Sequence, residues 1–353
     1  MIDGNTMNEK VMLVISSSDF GGGTKHVQEI KNHLGDRYDF FLAAPENFLL
    51  LEDQSFLRIE KSRFRIKDVI NLRRFCKNSG ITFLHSHGRG AALICRVLKM
   101  SLFPILHLYT LHGVHILFQN KILFLLYKFY EKYFGVLDNY RIFVSQSEKS
   151  EYQKNWNNSE KHVVIYNAVD EVSNLANTKP KYDVGILTRL HPQKNLIEFL
   201  NIAAMLPQFK FVIAGDGPEA VLLKNYKELS SIKNVDFVGY CSEKKWFFSN
   251  ISVYLSTSLW EGLPYSVLES VSYGCPAVLK NVIGHTDFVE SGVGASLYNE
   301  PADAILVLKK LLLEQNTYDK KVKELEWFKE KFSAEKFVTN INNLYKMATE
   351  KIR

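Results

Sequence analysis

Several familiar devices are missing from this 353-residue chain. Its four cysteines, Cys76, Cys95, Cys241 and Cys275, are scattered and none forms a CxxC pair. Neither a zinc ribbon nor a disulfide framework is indicated, and the four read as small buried hydrophobes of a reducing compartment. No Asp-x-Asp occurs, so a metal held by paired aspartates is not indicated. Nowhere do 18 uncharged apolar residues run together, so no spanning helix is expected. The first ten residues are polar and Val11–Ile15 is too short for the apolar core of a signal peptide, so a cytoplasmic location is expected. There is no sequence repeat and no low-complexity segment.

What is present is ordinary in bulk and uneven in detail. An apolar share of 46% and a charged share of 23% are those of a soluble globular protein, and the length suits two domains. The net charge is +6, yet residues 54–100 alone carry 11 Lys and Arg against 2 Asp and Glu. An acidic partner is therefore expected to meet the N-terminal half.

Short apolar runs alternate with helical patterns along the chain. Val11–Ile15 reads as a strand buried on both faces, and Gly21-Gly22-Gly23 leads into a helical pattern from Thr24 to Leu34. Further strands are expected at Phe40–Ala44, Phe83–His87, Ile105–Leu108, Ile142–Ser145 and Val163–Ile165, with helices over 66–79, 90–100 and 116–134. The polar stretch 171–182 reads as a linker. The pattern then restarts, with strands at Val184–Leu187, Phe211–Ala214, Val235–Val238, Val253–Ser256 and Ala277–Lys280 and helices between them. From Pro301 onward the pattern is helical. Alternation of this kind predicts two α/β domains, each a doubly wound parallel sheet, facing a cleft. Ligands of such sheets bind beyond the carboxyl ends of the strands, so the residues just after strands carry the functional reading.

Five such loops are chemically loaded. Trp260-Glu261-Gly262-Leu263-Pro264-Tyr265 follows a strand and opens a helix containing Glu269. Pro264 suits the first helical position, and the free N–H groups there favour an anion. Arg189 and Lys194 share one loop, and a guanidinium with an ammonium suits a diphosphate; a solvated basic loop is the plain alternative. Gly215 and Gly217 flank Asp216 after another strand and would permit close approach to a nucleotide, while Asp216 and Glu219 read as helix caps. Tyr240 could line a nucleobase slot or simply lie on the surface. Gly21–Gly23, which is not a GxGxxG, serves equally as a tight turn or a binding loop.

Thr188-Arg189-Leu190…Lys194-Asn195, Ala214-Gly215-Asp216-Gly217-Pro218-Glu219 and Glu261…Glu269 with Tyr273-Gly274-Cys275-Pro276 resemble, in order and spacing, the C-terminal signature of glycosyltransferase family 4, retaining enzymes of the GT-B fold. Gly21–Gly23, His85-Ser86-His87-Gly88, Thr110-Leu111-His112-Gly113 and Ile165–Asp170 resemble its N-terminal motifs more loosely. The resemblance implies an acceptor domain at 1–172, a nucleotide-sugar domain at 173–330 and a helix at 331–353 returning to the first. It gives the diphosphate to Arg189 and Lys194, the ribose to Glu269, the donor sugar to Glu261 with the Gly262-Leu263-Pro264 loop nearby, and a place near that sugar to His112. Gly22 and Gly23 would lie near phosphate or acceptor. Thr188 stands where glycine is usual, Asn167-Ala168 replaces a common Asn-Gly, and Gly284-His285-Thr286-Asp287 has diverged from the family's loop.

The implied reaction moves a sugar from a nucleotide-sugar, UDP-linked by preference, to a glycan or lipid-linked saccharide, with no cofactor and no metal. The rival readings are a nucleotide-sugar epimerase of the same fold and a non-catalytic carbohydrate-binding protein. His85, His87, His107, His112 and His115 read as core or cleft histidines rather than a metal site, for want of a carboxylate ligand beside them. Residues 58–77 are basic and 116–134 strongly apolar with lysines on one stripe. Together they point to peripheral contact with an anionic membrane, at the inner face of the cell membrane. No nucleic-acid motif accompanies the charge.

Overall fold

The computed structural model describes residues 8–16, 21–46, 48, 56–59, 64–101, 105–113, 121–156, 158–170 and 180–350. His115, Lys61, Arg63, residues 116–120 of the expected apolar helix and 171–179 of the expected linker lie outside them. The chain divides into two compact units, one of Met1–Ile165 with Phe337–Arg353, the other of Tyr166–Lys336.

The first unit contains β1 (Glu9–Ile15), α1 (Gly22–Leu34), β2 (Tyr38–Ala44), β3 (Phe56–Arg58), α2 (Ile66–Ser79), β4 (Phe83–His87), α3 (Arg89–Ser101), β5 (Leu106–Thr110), α4 (Lys121–Phe134), β6 (Tyr140–Phe143), α5 (Gln146–Asn155) and β7 (His162–Val164). Its seven strands run parallel in the order β3-β2-β1-β4-β5-β6-β7. Val11 to Val14 have no exposure, as an apolar strand covered on both faces favours, and β4 and β5 are buried throughout although they carry His85, Ser86, His87, His107 and Thr110.

The second unit holds β8 (Tyr182–Leu187), α6 (Leu196–Ala204), β9 (Phe211–Ala214), α7 (Ala220–Leu229), β10 (Val235–Gly239), α8 (Lys244–Ser249), β11 (Ile251–Ser256), α9 (Tyr265–Ser272), β12 (Ala277–Lys280), α10 (Thr286–Glu290), β13 (Ala295–Tyr298), α11 (Pro301–Leu313), α12 (Gln315–Glu324) and α13 (Phe328–Phe332). Its six strands are also parallel, ordered β10-β9-β8-β11-β12-β13. The last helix, α14 (Ala334–Glu350), returns with Phe337 onward to the first unit. There Tyr345 OH lies 2.7 Å from His85 Nδ1, and Asn342 Oδ1 accepts from Tyr38 OH at 2.9 Å.

Two expectations need correction. Helix α9 starts at Tyr265, so Pro264 is its N-cap, in extended conformation with φ −72° and ψ 124°, and not its first helical residue. The elements β3, α5, α10 and β13 were not anticipated.

Each sheet reverses its winding once, between β1 and β4 in the first unit and between β8 and β11 in the second. The crevice outside the carboxyl ends at such a reversal is where doubly wound sheets hold ligands. In the first unit α1 begins there at Gly22 and β4 ends there at His87. In the second, the Arg189–Lys194 loop leaves β8 and the Glu261 loop leaves β11.

Candidate active site

In the second unit the two loops are tied together. Lys194 sits in a 3₁₀ turn (Pro192–Lys194) closed by Asn195 in the left-handed conformation, φ 49°. Leu259 N donates to Gln193 O at 2.9 Å, Thr257 Oγ1 to Lys194 O at 2.8 Å and Gln193 Nε2 to Trp260 O at 2.7 Å. This lattice carries Lys194 Nζ to 2.5 Å from Glu261 Oε1. Glu261 is buried, with Gln193 Nε2 also 3.5 Å from its other oxygen. Burial alone would raise its carboxyl, but the charges of Lys194 and then His285, with hydrogen bonds from Lys194 and Ser258, hold it below the ordinary value. It is an anion facing a cation. Asn167, also buried, donates to Leu263 O at 2.8 Å and so fixes the loop before α9.

Glu269, on α9, is buried and accepts from Lys244 Nζ at 2.5 Å. Arg189 lies half-buried on the loop that carries Lys194. Gly215 and Gly217 have a packing role besides the one expected. A Cβ at Gly215 would stand 1.8 Å from Thr188 O, and one at Gly217 2.4 Å from Leu190 O. Their lack of a side chain lets the β9 loop lie against the β8 loop, with Leu190 N donating to Asp216 O at 2.9 Å. At φ 137°, Gly215 is also in a conformation that disfavours any side chain. Tyr240 is 69% exposed at the end of β10, on the sheet's edge.

Three partners at this site carry no role in the sequence reading: Lys244, and Asn167 and His285, which appear there only as departures from the family's motifs. His285 is buried, with Nδ1 2.7 Å from Lys280 O and Nε2 3.4 Å from Ser256 Oγ. Burial first, then Lys194, lowers its pKa; Glu261 and the Lys280 carbonyl act the other way without prevailing. Gly284 before it has φ 84°, and a Cβ there would lie 2.3 Å from Gly262 O. Gly284→Ala is therefore expected to push the Glu261 loop aside. Turnover should fall at least tenfold and the melting temperature should drop, as steady-state rates and calorimetry would show.

In the first unit Gly22 and Gly23 form the first residues of α1, after Gly21 as its N-cap. A Cβ at Gly23 would meet His112 Cδ2 at 3.6 Å. His112 adopts φ 60°, strain of the kind stored at functional sites. Its neighbour Gly113 N donates to Glu148 Oε1 at 2.5 Å, and Val144 N to Glu148 Oε2 at 2.8 Å. Ser145 caps the same turn by accepting from Glu148 N at 3.1 Å. Glu148, fully buried on α5, thus positions His112. His87 Nδ1 lies 3.2 Å from His112 Nε2. Burial, then neighbouring histidines, push both imidazoles well below their ordinary pKa.

The other histidines divide. His85, between Tyr345 OH and Thr110 Oγ1 at 2.7 and 2.8 Å, and His107, with Nε2 2.8 Å from Ser86 Oγ and Nδ1 3.1 Å from Asp138 Oδ1, are core residues. His26, which the sequence did not single out, joins His87 and His112 in a group whose ligand atoms lie within 4.8 Å of one another.

With this geometry in place, likeness to known proteins can be weighed. Residues 20–172 match the family model of Glycosyltransferase Family 4, and residues 170–326 that of Glycosyl transferases group 1. The chain belongs to glycosyltransferase family 4. It is 26% identical over 320 residues to the Escherichia coli O-antigen biosynthesis glycosyltransferase WbnH, covering 88% of this chain and 92% of that one. It is 26% identical over 251 residues, 64% of each chain, to the E. coli UDP-Gal:alpha-D-GlcNAc-diphosphoundecaprenol alpha-1,3-galactosyltransferase. The crystal structure of Anabaena HepE in complex with UDP and glucose superposes with a TM-score of 0.81 at 17% identity, covering 96% of this chain and all of that one. The fold is GT-B. Within this glycosyltransferase the backbone carbonyl of residue 188 is the atom against which Gly215 packs.

Proposed function

We propose that this glycosyltransferase moves a sugar, with retention, from a nucleotide-sugar to a glycan or polyprenyl-diphosphate-linked saccharide in assembly of a bacterial surface polysaccharide. A UDP-sugar is the favoured donor. The observation that carries the reading is the Lys194–Glu261 pair, buried where the second sheet reverses its winding. An ammonium has three donors, and Glu261 engages Lys194 from one side only, so the same cation can meet a diphosphate. With Arg189 it offsets the negative charge that grows on the leaving group. One donor of this kind lowers a barrier by about 3–4 kcal/mol where it acts on developing charge. On this reading no metal cofactor takes part.

Glu261 accepts from the sugar's hydroxyls, and Glu269, held by Lys244, accepts from the ribose. His112 is the first unit's contribution to transfer. Support for a UDP donor and a lipid-linked acceptor comes from the name of the galactosyltransferase relative above. The test is incubation with UDP-sugars and a polyprenyl-diphosphate-linked saccharide, with transfer read by mass spectrometry of the lipid product and anomeric configuration by NMR of the released saccharide. An anomerically retained glycoside is expected. Donor altered without any acceptor would instead establish an isomerase.

The acceptor's lipid implies a surface for it. Among the described residues no helix is long and apolar enough to cross a membrane. Helix α4, however, exposes Ile122, Leu125, Leu126, Phe129 and Tyr133, each more than half, on one stripe at helical spacing, with exposed Lys121, Lys128 and Lys132 alongside. Ile66 and Ile70 of α2 are exposed among Arg65, Lys67, Arg73 and Arg74. Such faces bind the plane of an anionic bilayer, each cation contributing about 1 kcal/mol. The protein is expected to float with anionic liposomes at low salt, and the double variant Leu126→Glu, Phe129→Glu to remain in the pellet. Equal flotation of the two would remove α4 from the contact.

A further inference from the structure

His26, His87 and His112 come from three separate elements of the first unit. His26 lies on α1, His87 ends β4 and His112 follows β5. Their rings crowd together, with centroids 4.8 Å apart for His26 and His112, 5.4 Å for His26 and His87 and 5.5 Å for His87 and His112. One ligand nitrogen of each falls within 4.8 Å of the other two. His87 Nδ1 and His112 Nε2 are already 3.2 Å apart. Two nitrogens bound tetrahedrally to one ion at about 2.0–2.1 Å stand about 3.3 Å apart, so that edge of a coordination tetrahedron is in place.

We propose that this triad binds a divalent transition ion of the zinc type, and that the bound ion acts as a brake on sugar transfer by occupying His112. The chemistry of the donors selects the ion. Three imidazoles without a carboxylate suit zinc, copper or nickel and offer nothing to magnesium or calcium, which require oxygen ligands. Three histidines with a fourth position open are the ligand set of an exchangeable zinc, and His112 is half-buried while His26 and His87 are enclosed. His87 Nε2 is buried with no hydrogen-bond partner among the described residues, so no hydrogen bond there fixes which nitrogen of the ring is left unprotonated for an ion. The frame of the triad is firm. His87 is on a central strand, and Gly113 beside His112 is tied to buried Glu148.

Occupancy has a direct consequence. A nitrogen of His112 engaged by the ion is withdrawn from donor sugar, so the metal inhibits rather than assists. This second half rests on the assignment of His112 to transfer; metal binding itself does not. The two are separated by experiment. The full chain, stripped with EDTA and dialysed, is titrated with Co²⁺ followed by its visible d–d bands, and then with Zn²⁺ in competition. One equivalent per chain is expected, with intensities of a tetrahedral or five-coordinate site. His26→Leu should weaken binding by more than the roughly 10–100-fold that loss of a residue hydrogen-bonded behind a ligand costs. His33→Ala, seven residues along the same helix, should bind as wild type does.

The second arm measures donor turnover in EDTA and after Zn²⁺ is added. Wild type should be inhibited and should recover with EDTA. His26→Leu should turn over in EDTA and resist Zn²⁺; should it not fold, His26→Asn replaces it in both arms. Octahedral Co²⁺ spectra, no stoichiometric binding, or equal affinity in the His26 variant would overturn the site. Stoichiometric binding with turnover unaffected would overturn the brake.

Discussion

Lys194→Ala is expected to reduce turnover about 100- to 1,000-fold, the range measured when one donor to developing negative charge is removed. The loss should fall on kcat more than on KM, because the leaving diphosphate carries more charge in the transition state than in the bound donor. The substitution also leaves Glu261 buried without its cation. In the wild type that carboxyl is held below its ordinary value, against the effect of burial, by Lys194 and His285. A depressed carboxyl stabilises the fold above its unfolded pKa, and this contribution is lost as pH falls through the folded pKa. In the variant the contribution vanishes, so its deficit in melting temperature should be largest at neutral pH and should close on acidification. Glu261→Gln tests the same pair from the other side. Since the partners act as a unit, the double variant should be scarcely slower than the worse single one. Near-wild-type kcat in Lys194→Ala would remove this lysine from the chemistry.

Lys194 and Glu261 could both be read from the sequence, though not their pairing, because each stands past an apolar run, where parallel sheets present ligand-binding loops. The strands themselves were legible for the same reason. Phe83–His87, Phe211–Ala214 and Ala277–Lys280 appear with the bounds expected; Phe211–Ala214 is apolar throughout, as a strand covered on both faces favours, while the other two each open on an apolar stretch. Three-residue β3 is too short for any pattern, and α5, Gln146–Asn155, is almost wholly polar. It is a helix because Ser145 caps it and Glu148 turns inward to bind the backbone of Val144 and Gly113, contacts no periodicity encodes. The residues that support the site were hidden for a related reason. Asn167 reaches Leu263, and Lys244 reaches Glu269, across 96 and 25 positions. His26 is one apolar-face residue of α1 until the fold sets it beside His87 and His112. Gly215 and Gly217 read as room for a ligand, and that the protein's own backbone also packs on them is visible only in the fold.

The largest effect on stability is expected from Arg96→Leu. Arg96 has no exposure, and its guanidinium spans Asp138 at 2.7 and 2.9 Å and Glu131 at 3.0 and 3.2 Å. Arg141 also pairs with Asp138, at 2.5 Å, and with Glu131, at 3.1 Å. Removing one partner of a buried pair costs about 3–5 kcal/mol, because the other charge stays desolvated. For a unit of this size that is a fall on the order of 10 °C in melting temperature. Asp138 supplies the pH signature. Burial would raise its carboxyl, but Arg96, Arg141 and His107 hold it well below the ordinary value. Its stabilisation is thus full at neutral pH and is lost as pH falls toward the folded pKa, so the variant should lag most at neutral pH and least in acid. Substituting Glu131→Gln as well should recover part of the loss, since Arg141 then faces Asp138 alone and no excess carboxylate remains buried. An Arg96→Leu protein with wild-type melting would show that the cluster contributes nothing net. Glu131 lies on α4, the helix whose outer face is proposed to meet the membrane, while every proposed donor residue but His112 belongs to the second unit. Arg96→Leu should therefore weaken liposome flotation before it weakens UDP binding, a separation that equilibrium dialysis and flotation of one preparation would measure directly.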